Sequence, residues 1–82
     1  MARQIRGELI ETGDRNYVRH YLRTSEGSYW LRGTDMESLS NQVEWTLEDS
    51  GEYIAKGVVA SAEVEMHSNY INEGSLQFEY NS

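Results

Sequence analysis

The sequence predicts a small all-β or β-rich α+β domain: an antiparallel barrel or roll of five to six strands, with one short helix after the third. Three observations predict it. Apolar and polar residues alternate at period two over Tyr17–Thr24 and again over Val43–Glu48. Gly, Ser, Asn and Asp clusters interrupt the pattern at short intervals, as turns between strands do. Leu, Ile, Val and Phe number only 16 of 82 residues, but six Tyr and two Trp add the buried area that a small core needs.

Gln4–Glu11 opens the pattern, with Ile5 and Leu9 on one side and Arg6 and Glu8 on the other. Gly7 inside this run marks a bulge or a close approach of another strand. Thr12–Asn16 is a turn by composition. Tyr17–Thr24 then places Val18, His20 and Leu22 on one face and Tyr17, Arg19, Tyr21 and Arg23 on the other. Ser25–Ser28 closes a hairpin onto Tyr29–Arg32. Thr34 and Glu37 have capping-box spacing, and a helix from Asp35 to about Asn41 would align Met36 and Leu39 with Val43. Residues 42–49 read in two ways, as a strand or as a continuation of that helix to a cap at Gly51. Val43 and Trp45 favour the strand. Asp49–Gly51 is a turn. Glu52–Met66 is one long strand bent at Gly57, with Ile54, Val58, Ala60, Ala62, Val64 and Met66 on one parity. His67–Gly74 is a loop, and Leu76, Phe78 and Tyr80 form the last strand.

This order, strands then helix then strands, resembles the plan of the OB-fold, a five-stranded barrel with its helix between strands three and four. The resemblance covers most of the chain and rests on element order. Residues 1–82 make a single domain, either monomeric or homodimeric.

No cysteine is present, so disulfides, thiolate metal centres and a thiol nucleophile are excluded. No apolar run approaches the ~20 residues of a membrane helix, and the first residues lack the apolar stretch of a signal peptide. A cytoplasmic protein is expected. Only His20 and His67 are available as bases; His20 shares the parity of Val18 and Leu22 and reads as a core residue. Glu63, Glu65 and His67 share a strand face but read as a solvated acidic strand and not as a metal site. No cofactor motif is found. The expectation is a protein that is not an enzyme.

Charge is uneven. Residues 1–33 hold six Arg against four acids, +2, whereas residues 34–82 hold Lys56 against ten acids, −9, giving a net −7. Two binding faces follow. The first is acidic: Glu44, Glu48, Asp49, Glu52, Glu63 and Glu65, with Trp45 as an apolar anchor if its strand lies at an edge. It would dock a basic protein partner, with carboxylates steering the encounter. Small acidic chains without Cys are similar to phage-encoded inhibitors and accessory proteins. The second face is Tyr17, Arg19, Tyr21, Arg23, Trp30 and Arg32. Alternating Tyr and Arg suits single-stranded nucleic acid, with rings stacking bases and guanidinium groups holding phosphates. The net charge weighs against a polyanionic ligand, so the basic protein partner leads.

Overall fold

The computed structural model describes residues 1–14, 17–32 and 43–81. These form seven antiparallel strands: β1 (Ala2–Asp14), β2 (Tyr17–Thr24), β3 (Gly27–Trp30), β4 (Glu44–Leu47), β5 (Tyr53–Lys56), β6 (Val58–Glu65) and β7 (Gln77–Tyr80). No helix occurs among the described residues. The helix expected from Asp35 lies outside them. Residues 44–47 are a strand, which rules out a helix continued to Asp49.

Strand β1 organises the molecule. Its first half, Ala2–Gly7, pairs with β6, and its second half, Glu8–Asp14, pairs with β2. Ile10 and Glu11 also pair with β5 on the other edge. Sheet order is therefore β3-β2-β1-β5-β4, with β6 and β7 forming a wing on the first half of β1. Gly7 stands at the crossover, because an added Cβ there would lie 2.3 Å from the Arg23 carbonyl oxygen. Of the two readings of Gly7, close approach is the one observed.

Gly57 divides the long strand. Between the pairs Gly7↔Ala60 and Ile10↔Ile54, β1 advances three residues while its partner advances six. The extra residues are taken up around Gly57, whose φ of 72° suits a residue without a Cβ. The single parity expected for Glu52–Met66 is therefore wrong. Ala55 faces the core before the bulge and Val58, Ala60, Ala62 and Val64 after it, while Ile54 turns the other way and Met66 is exposed in a turn.

Of the expected barrel or roll, the small antiparallel β domain is observed and barrel closure is not. Among the described residues the antiparallel sheet is not closed, because no ladder joins β3 to β6. Residues 69–72 span that gap with a parallel bridge, Trp30↔Tyr70, and an antiparallel one, Val64↔Ile71. The core lies on the inner face: Ile5, Leu9, Leu22, Tyr29, Leu31, Val64 and Ile71 are buried there with the small residues of β6, and Trp45 and Phe78 pack against them. Ile10 is fully buried yet outside this cluster. It lies on the outer face, directly between Tyr21 and Ile54.

Candidate functional site

Strand alternation sends Tyr17, Arg19, Tyr21 and Arg23 to the outer face of β2. Register then extends Tyr21 into a row across the sheet. Trp30 lies opposite Tyr21 on β3, and Tyr70 lies opposite Trp30 through the parallel bridge. Two backbone bonds fix that bridge: Trp30 N–H donates to the Asn69 carbonyl at 2.8 Å, and Ile71 N–H donates to the Trp30 carbonyl at 2.9 Å. The β2–β3 turn, Ser25-Glu26, is held by the Thr24 hydroxyl, which donates to the Gly27 carbonyl and accepts from the Glu26 N–H.

Two arginines lie over this aromatic row. The guanidinium carbon of Arg19 sits 3.8 Å from the centre of the Trp30 ring. That of Arg32 sits 5.2 Å from the centre of the Tyr70 ring. Both fall within cation–π range. The Tyr21 and Trp30 rings lie 5.0 Å apart at 52°. Tyr17 is two-thirds exposed at the end of the stripe.

Other arginines pair with carboxylates: Arg3 with Glu26, Arg6 with Glu79, and Arg23 with both Glu48 and Glu8. Among the described residues, neither Arg19 nor Arg32 has a carboxylate within ion-pair distance. Arg23 donates to Glu48 at 3.0 and 3.1 Å, which holds the Glu48 carboxyl below its ordinary range and raises the guanidinium further. Tyr21 donates to Glu52 at 3.0 Å, and burial, reinforced by that bond, pushes its phenol above the usual value.

Sheet twist explains how these partners meet. On a flat sheet Arg23 and Glu48, three strands and four residues apart, would be separated by about 20 Å. A twisted sheet is a saddle, concave along one diagonal on each face. The diagonal from Arg23 to Glu48 folds toward the outer face, over Ile10. The opposite diagonal folds inward and brings His20 to Trp45, ring centres 5.8 Å apart.

The expected acidic face is thereby divided. Glu48 and Glu52 are bonded to the tyrosine–arginine stripe, so the two rival faces are neighbours on one surface. Glu44 lies opposite Lys56, and Asp49 is exposed in the turn. Glu63 and Glu65 stand apart on β6, which pairs with β1 and β7 but not with β4. Glu65 lies 3.6 Å from the Met1 amine and accepts from Asn72. Trp45 is on an edge strand, but its ring is half-buried against the core side.

His20 is walled in by Trp45 and Glu11, with Nε2 buried and without a hydrogen bond, 3.7 Å from a Glu11 oxygen. His67 is in a turn with φ 68°, off the strand that carries Glu63 and Glu65. Among the described residues no three His, Asp or Glu side chains converge to hold a metal ion. Shallow clefts flank Gln4, Ile5 and Arg6, away from the aromatic row. Within the described residues, no helix is long and apolar enough to cross a membrane.

Tyr70 is the member of the row that sequence reasoning missed. It stands in a segment rich in Ser, Asn and Gly, and only the adjacent Ile71 hints at a buried strand-like step. The chain matches no protein-family profile, no curated protein and no solved structure.

Proposed function

We propose that the chain is a non-enzymatic binding module that holds single-stranded nucleic acid on the outer face of β2 and β3. One observation carries this reading: Arg19 and Arg32 lie over the rings of Trp30 and Tyr70, within cation–π range, with no carboxylate partner among the described residues. Bases stack on aromatic rings and on guanidinium planes at about 1–3 kcal/mol each, and the arginine N–H groups remain available to phosphates. Paired bases in a duplex hide their faces, so this surface favours unpaired strands.

The net charge of −7 limits the affinity without abolishing it. Charges farther than about 8 Å from a phosphate are largely screened at physiological salt. Two phosphate contacts give a salt slope near −1.4 on logarithmic axes, shallow for a nucleic-acid binder. The test is fluorescence anisotropy of a labelled oligothymidylate at low salt, repeated as salt is raised. Binding should follow that slope and fall by ten-fold or more in Trp30→Ala and in the double variant Arg19→Ala/Arg32→Ala. An absence of binding at 20–50 mM salt, or full retention by the variants while circular dichroism reports folded protein, would overturn the reading.

A second reading, docking of a basic protein partner, draws on a different observation, the edge of β4 beside Glu44 and Asp49, with which no described strand pairs. Glu63 and Glu65 lie too far round the sheet to belong to the same footprint.

A further inference from the structure

β4 ends the sheet. Glu44–Leu47 pair with Lys56–Tyr53 on one side, and among the described residues no strand pairs with them on the other. Every second residue of such a strand turns its N–H and C=O outward, ready to pair with another chain. The side chains along this edge differ by face. Glu44 and Thr46 point to the outer face, continued by Glu48, with Asp49 exposed in the turn that follows. Trp45 and Leu47 point to the inner face, where Leu47 is 59% exposed and its cross-strand neighbour Tyr53 is 42% exposed.

Proteins usually guard an open edge with a lysine, a proline or a charge that points inward. Here the inward-pointing positions are apolar and the outward carboxylates are only partly countered, by Lys56 across the ladder and by Arg23 at Glu48. A second copy is a poor occupant, since its β4 would set carboxylates beside carboxylates on a chain of net charge −7. We infer that the free edge of β4 is a docking site for an extended segment of another protein, with Lys or Arg at alternate positions and apolar residues between them. The segment adds a strand: main-chain bonds along Glu44–Leu47 supply affinity. The alternation supplies specificity, with cations beside Glu44 and Asp49 and apolar side chains beside Leu47 and Tyr53.

The probe is a fluorescein-labelled octapeptide of alternating Lys and Val, compared with its Glu–Val counterpart. A third peptide has the same Lys–Val sequence with every second amide N-methylated, which keeps the charge and removes the strand-pairing donors. The Lys–Val peptide should bind, its N-methylated form at least ten-fold more weakly, and the Glu–Val peptide not at all. The double variant Glu44→Lys/Asp49→Lys, at exposed positions, should weaken Lys–Val binding by about ten-fold, while Glu63→Lys/Glu65→Lys should leave it within two-fold. Equal binding of the N-methylated peptide would reduce the effect to loose charge attraction and overturn the inference. So would loss of binding in the Glu63/Glu65 variant alone, or no binding of the Lys–Val peptide. Oligothymidylate binding reports on the other end of the sheet and does not depend on this result.

Discussion

Substituting Gly7 by alanine tests the architecture at its narrowest point. The new Cβ would stand 2.3 Å from the Arg23 oxygen, 2.9 Å from the Arg23 carbonyl carbon and 3.0 Å from Thr24 Cγ2. Ordinary contact begins near 3.4 Å, so β2 must retreat from β1 by about 1 Å. The obstacle is backbone held in a ladder, not the end of a flexible side chain, which sets the cost at the upper end of overpacking, about 3 kcal/mol. Alanine also restricts the unfolded chain, recovering about 0.4–1 kcal/mol. The net loss is about 2 kcal/mol, against a total stability of roughly 4–12 kcal/mol for a chain of this length. Urea unfolding followed by fluorescence of Trp30 and Trp45 reads it directly. With a slope near 1 kcal/mol per molar, the midpoint should fall by about 2 M. A change under about 0.5 M would refute the close approach of β1 and β2 at this residue, and with it the crossover of β1 between its two sets of partners.

Two further predictions concern titration. Burial lowers the pKa of His20 below its ordinary 6.5, and the Glu11 charge opposes this only in part. The unfolded chain therefore takes up a proton at a pH where the folded one does not, so the stability from neutral His20 is present above about 6.5 and is lost as pH falls below it. Urea midpoints should decline between pH 7.5 and 5.5, and His20→Phe should flatten that decline; an unchanged profile in the variant would assign it elsewhere. The Tyr21 phenol is raised by burial and by its bond to Glu52, so folding favours its neutral form and alkaline pH costs stability as the unfolded tyrosine ionises first. Absorbance titration near 295 nm should show one tyrosine ionising later than the rest, and Tyr21→Phe should remove that late step.

Much of the fold is legible in the sequence because alternation is a local signal. β2 runs over Tyr17–Thr24 as the pattern indicates, and the bend at Gly57 is announced by a glycine inside an apolar run. What the bend does to parity is not legible. Whether a glycine merely curves a strand or absorbs extra residues depends on the partner, and β1 is about fifty residues away in sequence. The same limit hides Ile10, whose burial on the outer face comes from Tyr21 and Ile54 opposite it on two other strands. In the candidate site, the Tyr–Arg stripe of β2 and Trp30 follow from alternation alone. Tyr70 does not, since one isolated bridge leaves no periodic trace. The division of the acids was also beyond reach, because saddle curvature, a property of the assembled sheet, decides that Glu48 meets Arg23 while Glu63 does not.

The placement of β1 has a consequence for how the molecule is made. Its partner β2 follows at once, with pairs separated by 3 to 15 residues, from Asp14↔Tyr17 to Glu8↔Arg23. Its other partner is far downstream, with pairs separated by 53 to 63 residues, from Gly7↔Ala60 to Ala2↔Glu65. Closing the longer loops costs roughly 1.5 kcal/mol more in chain entropy, and it waits for the distant residues to exist. At about 5–20 residues per second, a ribosome has β1, β2 and β3 outside for several seconds before β6 follows. During that interval one whole edge of β1 is bare, with Ile5, Leu9 and Ile10 on it. The central strand of the finished sheet spends those seconds as an open edge, and delays in translation between β3 and β6 lengthen its exposure to other chains.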